Sequence, residues 1–193
     1  MKTYWVVGIA MAAGLSADAE ECKVTVYVQA GIDYGVKLLG AEMQAATMFR
    51  EIGVEVRWRL GVVPGRFVDG ACDVPILVQL ERSGNGTRVP ENAFAYALPY
   101  AASGTAIHVL MDRVADRLNP NFEMARLAHV LVHEITHVLE QIDRHSDDGI
   151  MKAHWDSKDY ARMRSHPLPF ATIDVELIHE GIANRLRQAV GAK

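Results

Sequence analysis

One stretch limits the choices open to the whole chain. From Phe122 onward, Met124, Leu127, Leu131, Ile135, Val138 and Ile142 recur at three- and four-residue intervals, the spacing of a single helix face. Asn119-Pro120-Asn121 stands just before it, pairing a capping side chain with a proline suited to a first helical turn. A helix with so broad an apolar stripe gains most of its stability from packing. The rest of the chain must therefore supply a surface to cover it.

That surface reads as a sheet. Residues 23–29 alternate and are rich in β-branched side chains, which predicts a strand. Val36 to Ile52 places Val36, Leu39, Met43, Ala46 and Phe49 or Ile52 at helical spacing, and Gly53 ends that helix. Val54–Trp58, Ile76–Leu80 and Ile107–Met111 read as further strands, and Ala93–Leu98 as a short edge strand closed by Pro99. Loops are marked by Gly61, Pro64, Gly65 and Gly70, and by Ser83-Gly84-Asn85-Gly86. Trp155–Arg164 and Thr172–Val190 read as two more helices, the second capped by Thr172. The order predicts an α/β (α+β) fold, a mixed and mostly parallel twisted sheet backed by helices. With 193 residues the chain suffices for one domain.

The N-terminus reads as an export signal. Lys2 precedes the apolar run Trp5–Leu15, which is too short to span a bilayer, and Ala17-Asp18-Ala19 fits a cleavage site. Residues 1–19 are thus expected to be a signal peptide and residues 20–193 the single mature domain, secreted or periplasmic, with no stable membrane association after cleavage. In an oxidising compartment a pair of cysteines can bond. Cys22 lies two residues before the strand-like run Val24–Val28 and Cys72 two before the run Val74–Val78, so parallel neighbouring strands would set them side by side. A disulfide there would contribute roughly 4 kcal/mol in the chain-entropy model. The net charge of −4, with both signs mixed, excludes the basic face of a nucleic-acid binder.

The chemistry lies on the long helix. His133-Glu134-Ile135-Thr136-His137 sets two imidazoles four residues apart, on one face and about 5–6 Å apart at Cβ. A single zinc ion can take one nitrogen from each, while Glu134 reaches a metal-bound water without ligating the metal. Roughly 2% of shuffled sequences of this composition would contain such a match, so its place inside an amphipathic helix matters as much as the match. A catalytic zinc needs a third protein ligand and an open position.

The run His133 to Met151 resembles the metzincin clan of zinc peptidases, and within it the matrixin-like pattern H-E-x-x-H-x-x-G-x-x-H/D followed by a methionine turn. The resemblance implies a zinc metalloendopeptidase that cleaves peptide or protein substrates, with Glu134 as general base acting on the zinc-bound water. It implies Met151 as the methionine of that turn. It implies that Ala93–Leu98 is an antiparallel edge strand that pairs with an extended substrate, and that the C-terminal helices form a small subdomain. The chain departs from the pattern at the glycine position, which is Glu140, and at the third ligand. Asp143 has the family spacing, whereas His145 has the family's local context. On a continuing helix they would lie about 9 and 12 Å beyond His137, so the chain must turn back. Without the glycine the helix is expected to run to about Ile142, a longer return that favours His145. Asp143 is the alternative, and Glu176 or Glu180 of the last helix a third choice.

A different reading is a non-catalytic zinc-binding interaction module with a closed site, in which Asp143 and His145 both ligate. Tyr160 reads as structural rather than as an oxyanion donor. His129, one turn before His133, is either a support for the site or exposed, and His108, His154, His166 and His179 read as ordinary surface or core residues.

Overall fold

Val24, Val26 and Val28 are fully buried, while Thr25, Tyr27 and Gln29 point to the other face, the alternation that makes Lys23–Ala30 a strand (β1). The computed structural model describes residues 23–30, 35–63, 73–82, 93–101, 104–116 and 119–191. Helix α1 (Gly35–Glu51), β2 (Val56–Leu60), β3 (Asp73–Glu81), β4 (Ala95–Ala101), β5 (Gly104–Leu110), the one-turn α2 (Met111–Val114), α3 (Pro120–Glu140), α4 (Ser157–Met163) and α5 (Thr172–Gly191) follow. The sheet order is β2-β1-β3-β5-β4. All neighbours are parallel except β4, which runs antiparallel to β5 at the edge. The mixed, mostly parallel sheet with an antiparallel edge strand is therefore the architecture expected from the sequence. Residues 1–19, expected from the sequence to be a signal peptide, and Cys22 and Cys72 lie outside the described residues.

Several boundaries differ, each for a local reason. β2 starts at Val56 rather than Val54, because the Val54 N–H is spent on the Phe49 carbonyl at the end of α1 (3.0 Å). Gly53, at φ 78°, makes that reversal. β4 runs past the expected stop at Leu98, with a register shift between Leu98 and Ala101. β5 ends at Leu110, and Met111 opens α2 instead of closing the strand. Thr172 is the first helical residue of α5 and not its cap; the Asp174 carboxylate takes the preceding Ala171 N–H (2.9 Å).

The buried face of α1 is the largest correction. Val36, Leu39 and Met43 are exposed, and Leu38, Ala41, Ala45, Met48 and Phe49 face the core. The reason is the crossing with α3. A Cβ on Gly40 would lie 2.1 Å from Met124 Sδ, so the helices approach along the small residues of α1. Behind them α3 is buried on nearly every side. Leu127, Leu131, Ile135 and Leu139 are sealed in one core with the inner faces of β1, β3 and β5, α1 and Ile178 of α5. Asn119 caps α3 by accepting from the Phe122 N–H (3.1 Å), with Pro120 next in sequence. A buried helix at the middle of the fold is a rigid mount for whatever side chains its remaining face carries.

Candidate metal centre

α3 ends sooner than the sequence implied. Its last residue is Glu140, and Gln141 adopts the left-handed conformation (φ 61°), with its N–H on the His137 carbonyl (3.1 Å). The turn that a glycine would make one position earlier is thus made by Gln141. The exposed carbonyls of the last turn need donors. Arg185 of α5 supplies them, bonding the Leu139 carbonyl at 2.9 Å and also the Val138 carbonyl. Its guanidinium lies where the helix dipole favours positive charge. Gly181 allows this approach, because a Cβ there would lie 1.9 Å from the Leu139 oxygen.

Reversal after Glu140 carries the chain back over the helix. Ring centroids of His133, His137 and His145 form a triangle with sides of 4.8, 5.3 and 5.0 Å. One ring nitrogen from each lies within 4.8 Å of the others, an arrangement that could hold a metal ion. Asp143 is not in that group, nor are Glu176 and Glu180. Asp143 stays close enough that its charge raises the pKa of Glu134.

The nitrogens themselves show why a cation fits. His133 Nδ1 donates to the Ile150 carbonyl (2.9 Å), which leaves its Nε2 bare. That Nε2 faces the Nε2 of His137 at 3.1 Å. The Ile142 carbonyl lies close enough to favour a proton on the His137 ring, although His137 Nδ1 makes no hydrogen bond with it. In the absence of an ion a proton on His137 Nε2 can bridge to the bare His133 Nε2, and a cation that takes that proton's place would be ligated by both nitrogens. Nitrogen–zinc bonds of about 2.0–2.1 Å suit that separation. Burial lowers the pKa of His133 to about 4, with His137 and His145 adding to the effect. It also lowers that of His137, again with help from His145. Neutral imidazoles are the form that ligates.

Glu134 lies beside the triad on the wall of a cleft of about 610 Å³, which His133, His145, Phe94, Trp155 and Tyr160 also line. Burial, reinforced by Asp143, raises its pKa to about 7, suited to accepting and returning a proton near neutrality. Trp155 stands edge-on to the His133 ring (5.7 Å) and donates to the same Ile150 carbonyl (3.2 Å). Met151 follows, fully buried. Its carbonyl accepts from the Ser146 N–H (2.8 Å), closing the return loop just beyond His145. Gly149 (φ 78°) completes the turn, and a Cβ on it would lie 2.3 Å from the Pro169 oxygen.

His129 is neither exposed nor a ligand. Its Nδ1 donates to the Ala125 carbonyl (2.6 Å) and its Nε2 accepts from the Leu168 N–H (3.0 Å), so the buried ring ties α3 to the segment before α5. His154 and Tyr160 border the cleft, whereas His108 stacks on Tyr96 beside Glu81, and His179 bonds the Ile52 carbonyl. Trp155, Arg185 and Asp174 carry no motif in the sequence, and sequence reasoning missed their place around the site; Ser146 entered it only as part of the local context of His145.

Neither a family model nor a curated protein sequence matches this chain. Among solved structures, the fold is similar to that of an archaemetzincin from Methanopyrus kandleri, with a TM-score of 0.56, 16% sequence identity, and 88% of this chain and 99% of that chain covered. The likeness is one of fold: this chain shares the architecture of that structure, and its histidine cluster takes two rings from the central helix and the third from the loop after it.

Proposed function

We propose that the chain is a zinc-dependent metallopeptidase of the metzincin type, exported from the cell and active on peptide or protein substrates. The observation that carries this is the convergence of His133, His137 and His145 beside Glu134 on an open cleft. Three imidazoles suit zinc. A group of three side chains, among the described residues, leaves a coordination position for a reactant, which favours an open site over the closed module. Zinc bound there would supply Lewis acidity and lower the pKa of a coordinated water toward about 7.

The protein's own residues do the rest. A Glu134 carboxylate oxygen takes the proton of the attacking water and delivers it to the leaving amide nitrogen. Hydrogen bonding to Ile150 holds His133 in the tautomer that leaves Nε2 free. β4 stands at the sheet edge with its Ala95 on the cleft wall, placed to add an extended peptide as a further strand. The matrixin-like assignment and the methionine-turn role of Met151 rest on the run His133–Met151. Purified mature protein should contain one zinc ion per chain, and peptide hydrolysis should vanish on chelation and return with added zinc. Metal-free protein that cleaves as fast as the loaded form would refute the reading.

A further inference from the structure

His145 is the exposed member of the triad, on a loop rather than a helix. Among the described residues, no hydrogen bond holds its ring. Its place must therefore be set by the backbone on either side, and both neighbours are tied to one buried group. Arg144 Nη1 lies 2.7 Å from Asp174 Oδ1, and Arg144 Nη2 donates to Ser146 Oγ at 2.9 Å. Ser146 Oγ donates to the same Asp174 oxygen at 2.6 Å. Asp174 is fully buried in the first turn of α5, and its other oxygen accepts the Ala171 N–H. One carboxylate thus clamps the residues before and after His145 to the start of a long helix, where the dipole favours its charge.

We infer that Asp174 is a positioning residue for the third metal ligand, acting through Arg144 and Ser146. The inference rests on the metal reading above. Its chemical logic is that of outer partners that orient ligands, whose loss typically weakens metal binding about 10- to 100-fold. Here the partner orients the loop rather than the ring. Glu140 belongs to the same cluster, since its buried carboxylate lies 3.7 Å from Arg144 with no hydrogen bond to either oxygen. Asp174 holds Arg144 more closely, so the guanidinium faces the loop and not the helix end.

The test is a double-mutant cycle on full-length mature protein, read by competition of zinc with a chelator and by the visible spectrum of the cobalt-substituted form. Asp174→Asn should weaken zinc binding about 10- to 100-fold and alter the cobalt spectrum. In a His145→Ala background the same change should cost almost nothing, because the ligand it positions is gone. A general loss of stability would weaken both backgrounds alike. Ser146→Ala removes only the bridging hydroxyl and should give a smaller loss of the same kind, which serves if Asp174→Asn does not fold. Equal losses in both backgrounds, or unchanged affinity and spectrum in the folded variants, would overturn the inference and leave the metal reading standing. Parent protein that binds neither zinc nor cobalt would overturn both.

Discussion

Glu134 is where burial and chemistry meet most directly. Its pKa in the metal-free fold is about 7, against an ordinary value of 4.5. A carboxyl whose folded pKa is raised leaves stability intact below its unfolded pKa and removes it as pH rises through the folded value. Glu134→Gln should therefore stabilise metal-free protein at pH 8 by about 3 kcal/mol and by almost nothing at pH 4, measured by urea unfolding with chelator present. His133 works in the opposite sense. Its pKa is depressed from 6.5 to about 4, so its contribution is full above the first value and is lost as pH falls toward the second. In the parent these trends offset each other in part, and the Gln variant should shift the balance toward the histidine trend, with Glu140, whose pKa burial also raises to about 7, still opposing it. With zinc restored, the same variant should keep its metal but lose about 100- to 10,000-fold in turnover of a peptide substrate, the usual worth of a general base. Full turnover in the variant would remove Glu134 from that role.

At the scale of elements, the site depends on how α3 stops. Gln141 turns the chain, Arg185 covers the last carbonyls, and Gly149 returns the loop beneath Pro169. Arg185→Met should leave two carbonyls without their donor and cost about 1–3 kcal/mol for each that stays buried, measured by denaturant unfolding. Gly149→Ala combines a left-handed backbone with a contact that must shift. It should lower both the unfolding midpoint and zinc affinity, because Ile150 next to it orients His133. An alanine variant with parental midpoint and affinity would show that the turn tolerates the substitution without consequence for the ligand. The long helix was legible in the sequence down to its cap, since its spacing, Asn119 and Pro120 all agree. The face of α1 was not. Larger apolar residues drew the reading to Val36, Leu39 and Met43, whereas close helix packing needs Gly40 and alanines at the contact.

For the whole molecule, the parallel register of β1 and β3 bears on the cysteines. Lys23 pairs with Asp73 and Val24 with Val74, each one or two residues beyond a cysteine in the sequence. Both cysteines lie outside the described residues, and their bonding in exported protein is a proposal from the sequence. Intact mass should then rise by two hydrogens on reduction, and the reduced form should unfold at lower denaturant by roughly 4 kcal/mol. N-terminal sequencing of protein recovered outside the cytoplasm should begin at Glu20. A thiol count of two without reductant would exclude the bond.

The local code determined a good deal on its own. Strand alternation, helix spacing and the order of elements implied the layered sheet, and the run His133-Glu134-Ile135-Thr136-His137 brought two imidazoles together because four residues are one helical turn. Such statements need only neighbours close in the chain. What spacing could not decide was the partner of that pair. His145, Asp143, Glu176 and Glu180 were all compatible with it, and the fold groups only His145 with the two helical histidines. That outcome depends on α5 meeting the end of α3 at Gly181 and Arg185, and on Asp174 gripping both sides of the loop. Contacts between residues 28 to 47 positions apart leave no periodic trace in a sequence, so only the assembled chain could choose.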